Sequence, residues 1–207
     1  MNKKQKITII VLIALFIILT ILVKNNLLNQ FENWMYYGIT KNMNTNLTQI
    51  VKIITHIGDA VAVIAICLIL FIVPKTRNKI AIPVLIVVVS SALLNIILKN
   101  IISRPRPNIL RIVEETSFSF PSGHAMTNMT LYMMLILFTL KYISNKTLKY
   151  FIVITFTALI TLIGISRVYL GVHYITDIIG GWLLGMFCAI LVYALWIKYT
   201  EKNPLTK

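Results

Sequence analysis

The chain has 207 residues, of which 58% are hydrophobic and only 13% charged, where an ordinary soluble domain carries about 25% charged residues. That composition, with a mean hydropathy of +0.84, excludes a soluble globular enzyme and identifies an integral membrane protein. The formal net charge of +14 suits lysines and arginines set at a membrane surface beside anionic headgroups; it does not suit a nucleic-acid binder, because the basic residues are dispersed among apolar runs.

In chain order, Lys3, Lys4 and Lys6 precede an uncharged run over residues 7–23 that ends at Lys24. No small-x-small cleavage site follows, so the run reads as an uncleaved first span rather than a signal peptide. Residues 25–55 are mixed: Leu28, Phe31, Trp34 and Met35 fall at helical spacing beside Tyr36 and Tyr37, which fits an interfacial helix with aromatic anchors, a connecting loop being the alternative. Gly58 and Asp59 introduce a second span, 57–73, which is short unless the turns at 50–57 join it. Pro74 and the cluster Lys75, Arg77 and Lys79 end it. A third span, 80–102, is stopped by Pro105 and Pro107, which cannot continue a helix. The loop 103–121 is charged. A fourth span, 122–140, precedes Lys141, Lys146 and Lys149; a fifth covers 150–165; a polar segment, 166–177, is predicted as a loop; and a sixth span, 178–196, leads to a polar tail. Cys67 and Cys188 lie inside apolar runs and read as small buried hydrophobes. With no internal repeat, residues 1–207 are expected to form a single all-α membrane domain of six transmembrane helices.

The positive-inside rule orients this domain. One set of helix ends carries Lys3, Lys4, Lys6, Lys75, Arg77, Lys79, Lys141, Lys146, Lys149, Lys198, Lys202 and Lys207; the other carries the remaining eight of the twenty basic residues. Both termini are therefore expected in the cytoplasm, and the segments 103–121 and 166–177, far apart in sequence, on the outer side together.

Four features converge on that outer face. Lys99 is followed seven residues later by Arg106-Pro107. Pro121-Ser122-Gly123-His124 is a polar interruption opening the fourth span, where free N–H groups at a helix start favour an anion. Ser166-Arg167 is followed by His173, and Asp177 lies four residues beyond, on the same helix face if that turn is helical. Each alone has an ordinary explanation: Lys99 as a snorkelling residue, Arg167 as a surface flank, Asp177 as a helix cap. Together they bring three cations, two imidazoles, a hydroxyl and a carboxylate beside a helix N-terminus, and so costly a cluster at a bilayer marks a functional anion site. A phosphoryl group in transfer needs fixed donors around its oxygens. Arg106 and Arg167 offer planar forks, Lys99 a point charge, and Ser122 with the Gly123 N–H completes the cradle. One histidine can attack phosphorus while the other protonates the departing oxygen; Asp177 would orient His173 as the nucleophile and leave His124 as the acid. A metal site is the rival for two histidines and an aspartate, but the adjacent cations would repel a metal ion. His56 and Asp59 fall outside these features and read as a polar helix start, contact with the substrate being the alternative.

Lys99-x6-Arg106-Pro107, Pro121-Ser122-Gly123-His124 and Ser166-Arg167-x5-His173-x3-Asp177 resemble the three signature motifs of the type 2 phosphatidic acid phosphatase superfamily, which includes vanadium haloperoxidases and bacterial phosphatidylglycerophosphatases. A second Arg-Pro pair, Arg104-Pro105, is present, but only Arg106 has the family's spacing from Lys99. The resemblance implies the helical core of the acid phosphatase and vanadium haloperoxidase fold, His173 as the residue that becomes a phosphohistidine, His124 as the general acid, and no metal or other cofactor.

The expected function is hydrolysis of a lipid phosphate or diphosphate, since a water-soluble substrate would not require a site set among spans. The small chain resembles the phosphatidylglycerophosphatase B-like bacterial members, so phosphatidylglycerol phosphate, undecaprenyl diphosphate and phosphatidic acid are the candidates. A lipid phosphotransferase is the enzymatic alternative, and an anion or lipid transporter without turnover the alternative of another class. Beyond the lipid substrate and the bilayer, no protein partner is evident in the sequence.

Overall fold

The computed structural model describes residues 1–108 and 111–202; part of the loop 103–121 and Lys207, assigned above to the basic cytoplasmic side, lie outside them. All regular structure among the described residues is helical: α1 (Lys3–Lys24), α2 (Asn29–Thr40), α3 (Thr45–Ile57), α4 (Ala60–Ile72), a short α5 (Pro74–Thr76) and a π-helical turn (Arg77–Ala81) that run into α6 (Ile82–Ile102), then α7 (Gly123–Tyr142), α8 (Lys146–Tyr169) and α9 (Ile175–Lys202). The first helix begins with a capping box, in which Asn2 accepts from the Gln5 amide and Gln5 from the Asn2 amide, satisfying two end groups reciprocally.

The helix α7 lies at the centre, packed on α9, α8 and α6, while α1 lies along α9. Met126, Leu131, Tyr132, Met134 and Phe138 of α7 are buried in the main apolar core with Val84 and Val87 of α6 and Ile163 of α8. Close approach of α7 and α9 depends on glycines. A Cβ on Gly181 would lie 2.8 Å from Ser122 O and 2.9 Å from Ala125 Cβ, and one on Gly185 2.6 Å from Met126 O. Small residues where helix backbones meet are the usual device of membrane bundles, in which van der Waals packing replaces the hydrophobic effect. The outward faces of α1, α4, α6 and α8 expose Ile10, Val61, Ile72, Leu93, Ile101 and Phe151, an arrangement suited to lipid.

Four helical stretches are long and apolar enough to cross a membrane, Lys3–Lys24, Pro74–Ile102, Lys146–Tyr169 and Ile175–Lys202, and α3 with α4, bent by 44° at their junction, make a fifth if counted as one span. The expected count of six exceeds this by α7. Its His124, Thr127, Asn128 and Thr130 make it less apolar, and its interior position gives those groups protein neighbours instead of lipid.

Other expectations shift at their boundaries. Residues 25–55 form two helices, α2 and α3. The second span is interrupted at Gly58-Asp59. The helix α8 continues through Ser166 and Arg167 to Tyr169, so the segment predicted as a loop over 166–177 shrinks to the turn 170–174. That turn is made by Gly171, whose φ of 73° is the left-handed conformation glycine adopts without steric cost, with the Val172 N–H returning to Arg167 O at 3.2 Å.

Candidate active site

The C-terminal ends of α6 and α8, the N-terminal ends of α7 and α9, the α3–α4 junction and the loop 103–121 meet at one end of the bundle. All eight residues singled out for phosphate chemistry, Lys99, Arg106, Ser122, Gly123, His124, Arg167, His173 and Asp177, are carried on these segments or on the turn 170–174 between α8 and α9.

His173 stands in the turn before α9, with Nδ1 3.3 Å from Asp177 Oδ2 and 3.2 Å from Ser119 Oγ. Its other nitrogen, Nε2, lies 3.3 Å from Arg106 Nη1. The two residues do not share a helix face, because α9 begins only at Ile175; they meet because the turn folds His173 back over the helix start. Asp177 caps that start as well, accepting the Tyr174 N–H at 2.9 Å, so the capping and orienting roles are held by one carboxylate. Its Oδ2 also takes the Ser119 hydroxyl at 2.5 Å, and its Oδ1 the Arg104 Nη1 at 2.6 Å. Burial pushes the His173 imidazole down to about 4, against the opposing pull of Asp177. The ring is therefore neutral at physiological pH, as a nitrogen nucleophile must be.

Arg104, the arginine of the second Arg-Pro pair, serves this dyad. Besides Asp177 it donates to both oxygens of Glu32 on α2, at 2.7 and 2.8 Å, and to Thr176 Oγ1 at 2.8 Å. Its guanidinium also stacks 4.0 Å from the Tyr174 ring centroid. Glu32 in turn accepts from Thr176, which pins α2 onto the start of α9.

Arg106 donates to Ser117 O at 2.7 Å, Val172 O at 2.8 Å and Ser117 Oγ at 3.0 Å, which fixes its planar group beside His173. Arg167, 2% exposed, donates to Thr55 Oγ1 at 3.0 Å and to Glu115. Its Nε has no hydrogen-bond partner among the described residues, a buried donor suited to an anion. Glu115 also lies 3.6 Å from Arg106. Burial opposes the Glu115 charge, yet Arg167 and Arg106 hold its carboxyl below the ordinary glutamate value. Lys99 donates to Phe118 O and lies 3.5 Å from Ser117 Oγ. Ser122 caps α7, accepting the Ala125 N–H at 3.4 Å, and its own N–H goes to Asp177 O at 3.0 Å. Pro121 thus precedes the cap rather than opening the helix. Asn95 donates to Pro121 O at 3.1 Å and limits Gly123, where a Cβ would come within 3.3 Å of the Asn95 oxygen. His124 Nε2 is 2.8 Å from Asp59 Oδ1, and Asp59 Oδ2 is 2.7 Å from His56 Nδ1.

Two hollows open beside the motif residues. One, of about 470 Å³, is walled by Lys99, Arg104, Arg106, Arg111, Glu115 and Ser117. The other, of about 410 Å³, is an apolar groove between α4 and α6 lined by Val63, Ile64, Val89 and Leu93 and ending at Gly123 and His124. No group of three or more His, Cys, Asp or Glu side chains able to hold a metal occurs among the described residues.

The sequence reading did not single out Ser119, Arg104, Glu32 or Glu115. A signal for the carboxylates was present: the whole chain has only six acidic residues, and Glu32, Asp59, Glu115 and Asp177 all lie in this cluster.

Residues 80–201 match the family model described as the PAP2 superfamily. The chain is 36% identical to phosphatidylglycerophosphatase B of Bacillus subtilis over 154 residues, 70% of this chain and 73% of that one. It is 30% identical to undecaprenyl-diphosphatase of Sulfolobus acidocaldarius over 208 residues, covering 95% and 93% of the two chains. Among solved structures, the crystal structure of a transmembrane PAP2-type phosphatidylglycerolphosphate phosphatase from Bacillus subtilis superposes with a TM-score of 0.85 at 30% identity, over 95% of this chain and 99% of that one.

Proposed function

The chain belongs to the PAP2 superfamily, and from that premise we propose that it is a lipid phosphate phosphatase working through a phosphohistidine on His173. The observation that carries this reading is the pairing of a buried neutral imidazole with two guanidinium forks: His173 Nε2 faces Arg106 at 3.3 Å, beside Arg167 with its unpartnered Nε.

The chemistry follows from these groups. His173 Nδ1 is turned to Asp177 and Ser119, so Nε2 carries the lone pair that attacks phosphorus. As the N–P bond forms, the bond from phosphorus to the lipid oxygen breaks, and His124 gives that oxygen its proton. Water then attacks the phosphohistidine, returning a proton to His124 as the N–P bond breaks and inorganic phosphate leaves. Charge on the phosphoryl oxygens is met by Arg106, Arg167, Lys99, the Ser122 hydroxyl and the Gly123 N–H, fixed in advance of the reaction. Asp177, held by Arg104 and Ser119, keeps the nucleophile oriented and stabilises the cationic ring that forms. The cations supply the electrostatic stabilisation, so the reaction is metal-independent in this reading.

The apolar groove ending at His124 supports a lipid substrate, whose acyl or prenyl chain it can receive from the membrane. Phosphatidylglycerol phosphate, undecaprenyl diphosphate and phosphatidic acid remain the candidates, the first two matching the activities named for the relatives. The same reading makes residues 1–207 one membrane domain with α7 as its sixth span, both termini in the cytoplasm and the site at the outer face, because the basic helix ends gather on the opposite side.

The test is phosphate release by detergent-purified protein from the three lipids, in excess chelator, with His173→Ala alongside. Release abolished by the substitution is the expected result. No release from any lipid by folded wild-type protein, or undiminished release by the variant, would overturn the reading.

A further inference from the structure

The histidine assigned as acid has a carboxylate of its own. Asp59 stands at the N-cap position of α4, where an aspartate ordinarily accepts a hydrogen bond from the first turn, yet its side chain makes no such bond. Its two oxygens go to two imidazoles instead, Oδ1 to His124 at 2.8 Å and Oδ2 to His56 at 2.7 Å. The placement is built into the fold. A Cβ on Gly58 would lie 2.5 Å from Ile163 Cγ2 and 2.8 Å from Asn128 Nδ2, so only glycine lets the α3–α4 junction press this closely on α7 and α8. Asn128 then donates to both Gly58 O and His124 O at 2.9 Å, fixing the separation between Asp59 and the turn that carries His124.

We propose that Asp59 is the positioning residue of His124, orienting the general acid and favouring its protonated form as Asp177 orients the nucleophile. This rests on the phosphatase reading above. The charged groups that face His124 are Arg167 from α8, Glu115 from the loop 103–121 and Asp59 from the α3–α4 junction; His56 acts on it only through Asp59. Burial and Arg167 both disfavour an imidazolium, and Glu115 is engaged by the two arginines, which leaves Asp59 as the anion bonded directly to the ring. The contact also selects the nitrogen. With the Nε2 proton given to Asp59, Nδ1 is the nitrogen whose proton passes to the leaving oxygen. The carboxylate is held from its outer side by His56, whose side chain is 71% exposed.

The experiment is Asp59→Asn, alone and combined with His124→Ala. General acid catalysis contributes about 10²–10⁴-fold, and loss of the orienting carboxylate should remove part of it. On a phosphomonoester lipid, kcat is expected to fall about 10–100-fold with KM little changed, the alkaline limb of the pH–rate profile to move to lower pH, and the loss on a diphosphate lipid, whose leaving group needs less protonation, to be smaller. In the His124→Ala background the second substitution should cost nothing further, because both act through one group. The chain has three histidines, so ¹⁵N-histidine NMR can follow each imidazole, and that of His124 should lose its proton at lower pH in Asp59→Asn. An unchanged pH profile and an unchanged His124 titration, or an equal loss in the His124→Ala background, would overturn the proposal. Should Asp59→Asn not fold, Asp59→Ser, which can cap α4, gives the same readouts. The NMR titration needs no turnover; it decides on Asp59 even if no lipid is hydrolysed, a result that would count against the phosphatase reading alone.

Discussion

Glu115 pairs with Arg167 and lies 3.6 Å from Arg106, so the two guanidinium forks assigned to phosphoryl oxygens already hold an internal anion that an entering phosphate must displace. Glu115→Gln keeps the shape and removes the competing charge. Inorganic phosphate is expected to inhibit the variant at a concentration about tenfold lower, one tenfold step being 1.4 kcal/mol, and KM for the lipid should fall with it. Weaker phosphate inhibition would mean instead that the carboxylate holds the arginines in place. The pairing persists at low pH because the Glu115 carboxyl is held below its ordinary value; its contribution is present above the ordinary glutamate range and is lost only as the pH falls through the lowered value. The buried His173, in the turn before α9, has its own signature. With its imidazole pushed down to about 4, the acid limb of kcat/KM should lie near that pH, well below the ordinary histidine value of about 6.5. A limb at the ordinary value would show that the nucleophile is not held neutral by burial. At this scale the motif residues were legible because charge is rare and costly in so apolar a chain. Ser119 was not: a lone serine carries no pattern, and its role exists only through the distances to Asp177 and His173.

Helices set these distances, and the contact between α7 and α9 sets most of them. Ser122 N–H bonds to Asp177 O across that contact, so the cap of one helix is tied to the carboxylate of the other. Gly181 lies in the same contact, and a Cβ there would strike backbone atoms, Ser122 O at 2.8 Å and Met126 N at 2.9 Å, which cannot rotate away. Gly181→Val is expected to separate the two helices and to destabilise the protein by about 1–3 kcal/mol, the usual cost of overpacking. Thermal unfolding in detergent should show it, with phosphate release falling even in the fraction that remains folded. Full activity with an unchanged melting temperature would show that the contact is looser than its geometry indicates. The span boundaries that shifted have one common cause. Ser166, Arg167 and Asp177 looked like loop residues because they are polar, yet all three lie in helices; in the interior, Arg167 bonds to Thr55 and Glu115, and Asp177 to Arg104, Ser119 and the Tyr174 amide. Polarity marked the site rather than the end of the helix.

For the molecule as a whole, the helix directions set the basic ends Lys3 to Lys6, Lys75 to Lys79, Lys141 to Lys149 and Lys198 to Lys202 opposite the end that carries the motif residues. In a background lacking Cys67 and Cys188, a cysteine at Asn42 should react with a membrane-impermeant maleimide added to intact cells, and one at Lys146 only after permeabilisation. The reverse pattern would place the site on the cytoplasmic side. The membrane class, the helical architecture and the family were legible in the residues alone, with the eight motif residues as candidates, because apolar run length, proline stops and the scarcity of charge are properties of the chain that need no partner to be read. The packing of the helices was needed to bring Arg104 and Glu32 onto Asp177, Glu115 onto Arg106 and Arg167, and Asp59 onto His124. Apart from Glu115 and Arg106, which share one loop, these contacts join residues 52 to 73 positions apart, and the bonds a buried polar group makes follow from which helices are pressed against it.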